Sequence, residues 1–155
     1  MAFWLLVAVQ WLHVLFAITW FGASLTFSFM IIPAAARLPE AEQASWWTAY
    51  IGVATQVFAI AAGGTIVFGI ARGIAGGVLS QLGTPYGITW IVALVLGIAL
   101  GVWGARLTGP TTERIGRSSA TDLARNVAAA TRIGLIELAG FFLLFTMMIA
   151  MRFGY

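Results

Sequence analysis

The sequence predicts an all-α integral membrane protein, a bundle of four helices. Of its 155 residues, 61% are hydrophobic and only 8% are charged, whereas soluble domains average about 25% charged residues. Long apolar runs recur along the chain, and a run of about 20 such residues can cross a bilayer. The length therefore accommodates four spans in one transmembrane domain, residues 1–155, without a sizeable soluble domain.

Helix-breaking residues divide the chain into four predicted spans. The breakers are Pro33, Pro39, Gly73, Gly76, Gly77, Pro85, Gly109 and Pro110. The predicted spans are residues 3–32, 48–73, 87–108 and 130–152. The first run is longer than a signal-peptide core of about 7–15 residues, so we expect a mature span. Ser119 and Asp122 have the spacing of a capping box, which predicts that the fourth helix begins before the membrane.

The distribution of arginines predicts the orientation of the bundle. All eight basic residues are arginines; six lie in or beside the first and third loops, and only Arg72 and Arg152 lie at the opposite ends. The positive-inside rule then places those loops in the cytoplasm and both termini on the outer (periplasmic or extracellular) side. We therefore expect a multi-pass protein of the cell (inner) membrane, and we interpret its net charge of +3 as a topology signal without nucleic-acid binding.

Several kinds of chemistry are absent from the sequence. The chain has no cysteine and no lysine, so thiolate metal sites, disulfides and Schiff bases are excluded. No glycine-rich phosphate loop follows a strand, and no cluster of residues has a metal-binding spacing. If the protein carries out a reaction, a bound cofactor must supply the chemistry.

His13 is the only histidine and the only ionisable residue in the apolar run of residues 3–32. An ionisable side chain at that depth costs roughly 3 kcal/mol or more unless it is paired, liganded or neutral, so it indicates a functional site. It belongs to a stripe at three- and four-residue spacing that should face the bundle interior. The stripe consists of Gln10, His13, Ala17, Trp20, Ser24 and Ser28, opposite Leu5, Leu12, Leu15, Ile18 and Phe29.

Three interpretations of His13 are open at this point. The imidazole is hydrogen-bonded to Gln10 or to a neighbouring helix as a structural residue, or it is an axial ligand to haem iron, or it binds copper or relays protons. Imidazole suits iron and copper equally, so the residue type alone does not choose between them.

Other polar and sulfur-containing side chains have two interpretations each. Arg72 and Arg152 suit a carboxylate such as a haem propionate, or they reach lipid headgroups. Met147, Met148 and Met151 are soft ligands for cuprous ions, or they are ordinary apolar filler.

Glu137 and a ridge of small residues are predicted to contribute to the packing of the bundle. Glu137 is expected to pair with Arg132 or Arg106, or to be a buried acid. The ridge recurs at every fourth residue of the third helix and comprises Ala93, Gly97, Gly101 and Ala105. Such a ridge allows close helix packing, leaves a gap for a flat cofactor or lipid tail, or serves a homodimer interface.

The first helix resembles that of a known superfamily over residues 11–34. His13, Trp20, Gly22 and Pro33 match its pattern of a histidine, six residues, Trp-x-Gly and a proline at the helix end. The pattern is similar to that of the CopD-like copper-resistance membrane proteins and of the HemJ-type protoporphyrinogen oxidases. The resemblance implies haem b bound through His13, or copper handling. HemJ-type enzymes have a functional lysine that this chain lacks, so the resemblance does not carry over oxidase activity.

The leading prediction is a haem b-binding membrane protein in electron transfer or haem handling, with His13 as axial ligand. The residues predicted to surround the cofactor are His13, Gln10, Trp20, Gly22 and Arg72. One alternative is a copper-handling protein with His13, Met148 and Met151 as metal ligands. Another is a cofactor-free accessory subunit. The expected partners are the lipid bilayer and either a second copy of the chain or a larger membrane complex.

Overall fold

The computed structural model describes residues 3–155, apart from the side chains of residues 40, 44 and 120, and this part of the chain contains helices and no strand. The elements are α1 (Phe3–Thr26), π1 (Phe27–Ile31), α2 (Ile32–Ala35), α3 (Glu40–Ala75), a 3-10 turn (Val78–Gln81), α4 (Pro85–Trp103), π2 (Gly104–Thr108), α5 (Gly109–Gly116) and α6 (Ala120–Arg152). Here π1 and π2 are short segments of π-helix.

Within the described residues, four helical rods are long and apolar enough to cross a membrane, which confirms the predicted all-α fold with four helices of spanning length. The rods are Phe3–Ala35, Ala41–Ala75, Pro85–Gly116 and Thr121–Arg152. The predicted faces of the first rod, Phe3–Ala35, are also confirmed: Trp20, Ser24 and Ser28 are buried, and Gln10, His13 and Ala17 are half-buried. The opposite face, from Leu5 to Phe29, is exposed as predicted. It lies where lipid would surround the bundle.

The predicted helix ends at Pro33 and at Gly109 are wrong, because helix continues past both. Proline lacks an N–H and its ring crowds the preceding turn, which normally ends or kinks an α-helix. In this chain the turn before each proline widens into π1 or π2. The N–H of Ile32 then bonds to the carbonyl oxygen of Phe27, five residues back, and the N–H of Gly109 to that of Gly104. The widened turns accommodate the prolines and let the rods continue.

The start of α6 agrees with the sequence pattern in position but not in detail. Ser119 is the N-cap residue, as the capping-box spacing predicts. Its hydroxyl, however, donates to the Asp122 carboxylate at 3.2 Å and makes no hydrogen bond to a backbone N–H. The helix therefore starts well before the segment expected in the membrane.

The two halves of the chain repeat one layout. Each half is a rod with a π segment and a proline, followed by a long helix, and Pro33 and Pro110 are 77 residues apart. Gly77 and Gly154 have the same separation, and both have a positive φ (81° and 88°) just after a long helix ends. The most extensive helix contacts lie within each hairpin, α1 with α3 and α4 with α6. The bundle thus consists of two similar helical hairpins.

A buried layer crosses the middle of the bundle. Trp20 packs edge-to-face on Phe141, with ring centroids 4.9 Å apart, and Leu100 and Leu138 complete the layer. We call the end of the bundle that carries residues 3, 75–85 and 152 the termini end. The opposite end, with Pro33 and Pro110, is the proline end, and a second core cluster around Trp47 lies there. One cavity toward each end is described below.

Candidate functional site

A cavity of about 520 Å³ lies toward the termini end and is lined by residues from all four rods. We call it the His13 cavity. Six predicted site residues line it: Gln10, His13, Trp20, Arg72, Met148 and Met151. Arg152 lines it as well, whereas Gly22 is not among the lining residues, and a Cβ added there would meet nothing within 4 Å. The structure therefore brings together the predicted haem and copper residues except Gly22.

The imidazole of His13 is held by a main-chain group of α3. Its Nδ1 lies 2.9 Å from the carbonyl oxygen of Thr65. A carbonyl oxygen only accepts, so Nδ1 carries the hydrogen and donates it. In the neutral imidazole the lone pair is then on Nε2, for which the described residues provide no hydrogen-bond partner. This arrangement leaves Nε2 able to bind a ligand in the cavity.

Close packing of α1 on α3 depends on glycines of α3. A Cβ at Gly69 would lie 3.0 Å from Cε1 and 3.2 Å from Nδ1 of His13, and a Cβ at Gly64 would lie 2.5 Å from the Phe16 ring. Small residues let helix backbones approach closely in membranes. Gly69 therefore gives the imidazole room to reach the Thr65 carbonyl.

The His13 cavity is electropositive. Arg72 Nε donates to Gln10 Oε1 at 3.1 Å, so its guanidinium group is tied to α1, and Arg152 lines the same cavity. No Asp or Glu occurs among the lining residues that the structure describes. Two guanidinium groups without a carboxylate suit a ligand with anionic groups.

Sequence reasoning missed three contributions to this cavity. The Thr65 carbonyl oxygen is a main-chain atom, and side-chain patterns give no signal for it. Trp90 and Tyr86 line the cavity from the start of α4, and the Trp90 ring occupies the space beside Gly73. The ridge of α4 did carry a signal, since Ala93 and Gly97 line the His13 cavity. A Cβ at Gly97 would meet nothing within 4 Å, so the ridge leaves a gap there.

Glu137 has hydroxyl partners instead of the expected arginine. Thr108 Oγ1 donates to Oε2 at 2.7 Å, and Ser24 Oγ lies 3.5 Å from Oε1. Arg106 and Arg132, the expected partners, are exposed. The carboxylate therefore stands in the bundle interior beside hydroxyl groups, and only 3% of the residue is exposed.

Two further observations concern possible metal ligands. Met147 packs against the core layer and does not line the His13 cavity, unlike Met148 and Met151. Within the described residues, no group of three or more His, Cys, Asp or Glu side chains could hold a metal ion. Any metal would therefore depend on ligands outside that set, such as thioether sulfurs or the atoms of a macrocycle.

The chain was compared with protein-family models, with characterised proteins and with solved structures, and no significant match was found in any of the three comparisons. The function must therefore be inferred from the geometry of the site.

Proposed function

We propose that the chain binds haem b in the His13 cavity, with Nε2 of His13 as an axial ligand to the iron. The observation that carries this proposal is the hydrogen bond from Nδ1 to the Thr65 carbonyl oxygen. Metal-binding histidines commonly donate their second ring N–H to a backbone carbonyl or a carboxylate, which fixes the tautomer and the ring orientation. His13 has this arrangement in a cavity lined by all four rods.

The rest of the cavity suits an amphipathic macrocycle. Its volume of about 520 Å³ lies within the range of about 300–1,000 Å³ that is typical of small-molecule sites. Trp20, Trp90 and Phe141 provide aromatic walls, and Arg72 and Arg152 provide positive charge. Haem b has an apolar ring, which suits the aromatic walls, and two propionates, which suit the arginines.

The chain's own residues would perform separate tasks around the haem. His13 would hold the iron, Arg72 and Arg152 would bind the propionates, and the gap beside Gly97 would admit the ring. Haem b supplies reversible one-electron chemistry when bound. The chain has one histidine, so a second imidazole ligand would have to come from another copy of the chain. The proposal places the His13 cavity on the outer side of the membrane, where the arginine distribution predicts both termini.

Copper handling is the second candidate, and one observation favours it: Met148 and Met151 line the same cavity as His13. Thioether sulfur and imidazole together suit cuprous ions. Two guanidinium groups in a cavity whose described lining has no carboxylate oppose a bare cation, however, because like charges repel strongly where water is scarce. This charge argument ranks haem above copper.

A visible absorption spectrum tests the proposal. The detergent-purified protein from a haem-replete host is expected to show a Soret band, with α and β bands after dithionite reduction. His13→Ala should lose the Soret absorbance per chain, whereas the control Leu15→Ala, on the exposed face of α1, should retain it. A colourless wild-type protein, or an unchanged band in His13→Ala, would contradict the proposal.

A further inference from the structure

A second cavity, of about 310 Å³, lies toward the proline end, on the far side of the layer formed by Trp20 and Phe141. We call it the Glu137 cavity, after the buried carboxylate among its lining residues. Trp20 lines both cavities, and no lining residue of the Glu137 cavity lies near the termini end. This cavity is therefore separate from the site proposed for haem.

The charge of the Glu137 cavity is opposite to that of the His13 cavity. Glu137 is only 3% exposed, whereas Glu113, at the exposed rim, already pairs with Arg117 at 3.8 Å. No arginine occurs among the described lining residues. The two hydroxyl contacts of Glu137 do not neutralise a charge, and an uncompensated carboxylate inside a membrane is costly. The ionised form of Glu137 therefore has no counter-charge among the described lining residues, and a bound cation would supply one.

The walls of the cavity narrow the class of cation. Phe27, Tyr50 and Phe58 line it. Tyr50 is stacked on both Phe27 and Trp46, with centroids 5.8 Å and 5.3 Å away, and Phe58 is edge-to-face with Phe27 at 6.5 Å. Aromatic faces attract cations, and aromatic cages are typical sites for substituted ammonium groups. The volume is also far larger than a single metal ion needs, and close to the lower limit of about 300 Å³ for small-molecule sites.

The local backbone explains why the Glu137 cavity is open and why a hydroxyl group lies beside the Glu137 carboxylate. The widened turn π2 precedes Pro110, and the last residue of π2, Thr108, donates its hydroxyl hydrogen to Glu137. Gly101, Gly104 and Ala105 of the α4 rod have little or no side chain and line the cavity. Single π turns of this kind occur frequently at functional sites.

We propose that the Glu137 cavity binds a small lipophilic organic cation, a substituted ammonium, with the Glu137 carboxylate as its counter-charge and the ring of Phe58 beside it. This inference does not depend on haem binding, because the two cavities have different linings apart from the Trp20 layer.

Calorimetric titration of the detergent-purified wild-type protein with benzyltrimethylammonium tests the proposal. We expect one cation to bind per chain. Neopentylbenzene, the neutral isostere of the probe, should neither bind measurably nor displace it. A wild-type protein that shows no binding at millimolar concentrations of the cation, or that binds the neutral isostere equally well, would overturn the proposal.

Variants identify the residues that bind the probe. Glu137→Gln keeps the shape and removes the charge, so affinity should fall by about thirtyfold or more, whereas Glu42→Gln, an exposed carboxylate outside the cavity, should bind as wild type. Phe58→Leu should weaken binding by about two- to fivefold, and it decides the question if Glu137→Gln does not fold. His13→Ala should bind benzyltrimethylammonium normally, which separates this proposal from that for haem. Unchanged affinity in a folded Glu137→Gln or Phe58→Leu protein would overturn it.

Discussion

The imidazole of His13 donates a hydrogen bond to the main-chain carbonyl oxygen of Thr65, 2.9 Å away, and so joins α1 to α3 inside the bundle. Thr65 is itself buried, and its hydroxyl donates to the carbonyl oxygen of Ala61 at 2.7 Å, so the acceptor belongs to a buried helical turn. A ligating imidazole needs this kind of support, because the partner of one ring nitrogen fixes the direction of the other. The following predictions test the cavity built around this bond.

Gly69→Ala is expected to lower the affinity for haem. The added Cβ would lie 3.0 Å from Cε1 of His13, so the ring must shift, and we expect the shift to disturb its hydrogen bond to the Thr65 carbonyl oxygen. Supporting groups of metal ligands typically contribute about 10–100-fold to affinity, and we expect a loss at the lower end of that range. The measurement is a haem titration of the apo-protein followed by absorbance. Gly63→Ala, on the same helix with nothing within 4 Å of the added Cβ, should titrate as wild type; equal losses in both variants would argue against the prediction.

Arg72→Gln should weaken haem binding without removing the Soret band. The change removes a cation and its hydrogen bond to Gln10, at 3.1 Å in the structure. Hydrogen bonds to charged groups contribute about 1.5–3 kcal/mol, so the dissociation constant should rise by about tenfold or more. Arg37→Gln, at an exposed position near the proline end, provides the matched control. Wild-type affinity in Arg72→Gln would show that this guanidinium does not bind the propionates.

The double variant Met148→Leu with Met151→Leu separates the haem proposal from the copper alternative. Leucine has nearly the volume of methionine but no sulfur, so packing around the His13 cavity should change little. The haem proposal predicts an unchanged Soret absorbance per chain and an unchanged affinity for cuprous ions in competition with a chelator. A large loss of cuprous affinity in this variant would favour the copper alternative instead.

Helix number and the interior face of α1 can be predicted from the sequence because both follow from periodicity. The stripe that contains His13 has a helical period, and burial in the structure follows it. The same period explains why Gly22 lies outside the cavity: two residues after Trp20, the helix has turned by about 200°. The Trp-x-Gly pattern alone does not indicate that its tryptophan and glycine face different sides of the helix.

The features of the structure that could not be predicted from the sequence depend on contacts between distant segments of the chain. Whether a rod ends at Pro110 or continues through a π turn depends on packing, since α5 packs against α3 and α6. The pairing of Thr108 with Glu137 depends in turn on that widened turn. An arginine was the simplest partner that the sequence offered for Glu137, because no spacing rule links residues on separate helices.

Phe141→Ala should destabilise the protein much more than Phe142→Ala. Phe141 is 2% exposed and contacts Trp20 edge-to-face, whereas its neighbour Phe142 is 60% exposed. In lipid the transfer of an apolar side chain contributes little, so the expected loss of about 2 kcal/mol reflects the cavity left behind. The free energy of unfolding in mixed detergent and SDS micelles measures the difference. Similar values for both variants would contradict the burial of the Trp20 layer.

Thr108→Val tests the environment of Glu137 independently of any ligand. The substitution keeps the shape of the side chain and removes the hydroxyl that donates to Oε2 at 2.7 Å. The carboxylate would lose its shortest hydrogen bond inside the bundle, and we expect the free energy of unfolding to fall by about 1–2 kcal/mol.

Thr146→Val is the matched control for Thr108→Val. The Thr146 hydroxyl donates only to the carbonyl oxygen of Phe142, at 2.9 Å, from an exposed position on α6. That carbonyl keeps its helical N–H donor after the substitution, so the loss should be close to zero. A Thr108→Val protein as stable as Thr146→Val would mean that Glu137 obtains a replacement partner, and the widened turn π2 would then not be what positions the carboxylate.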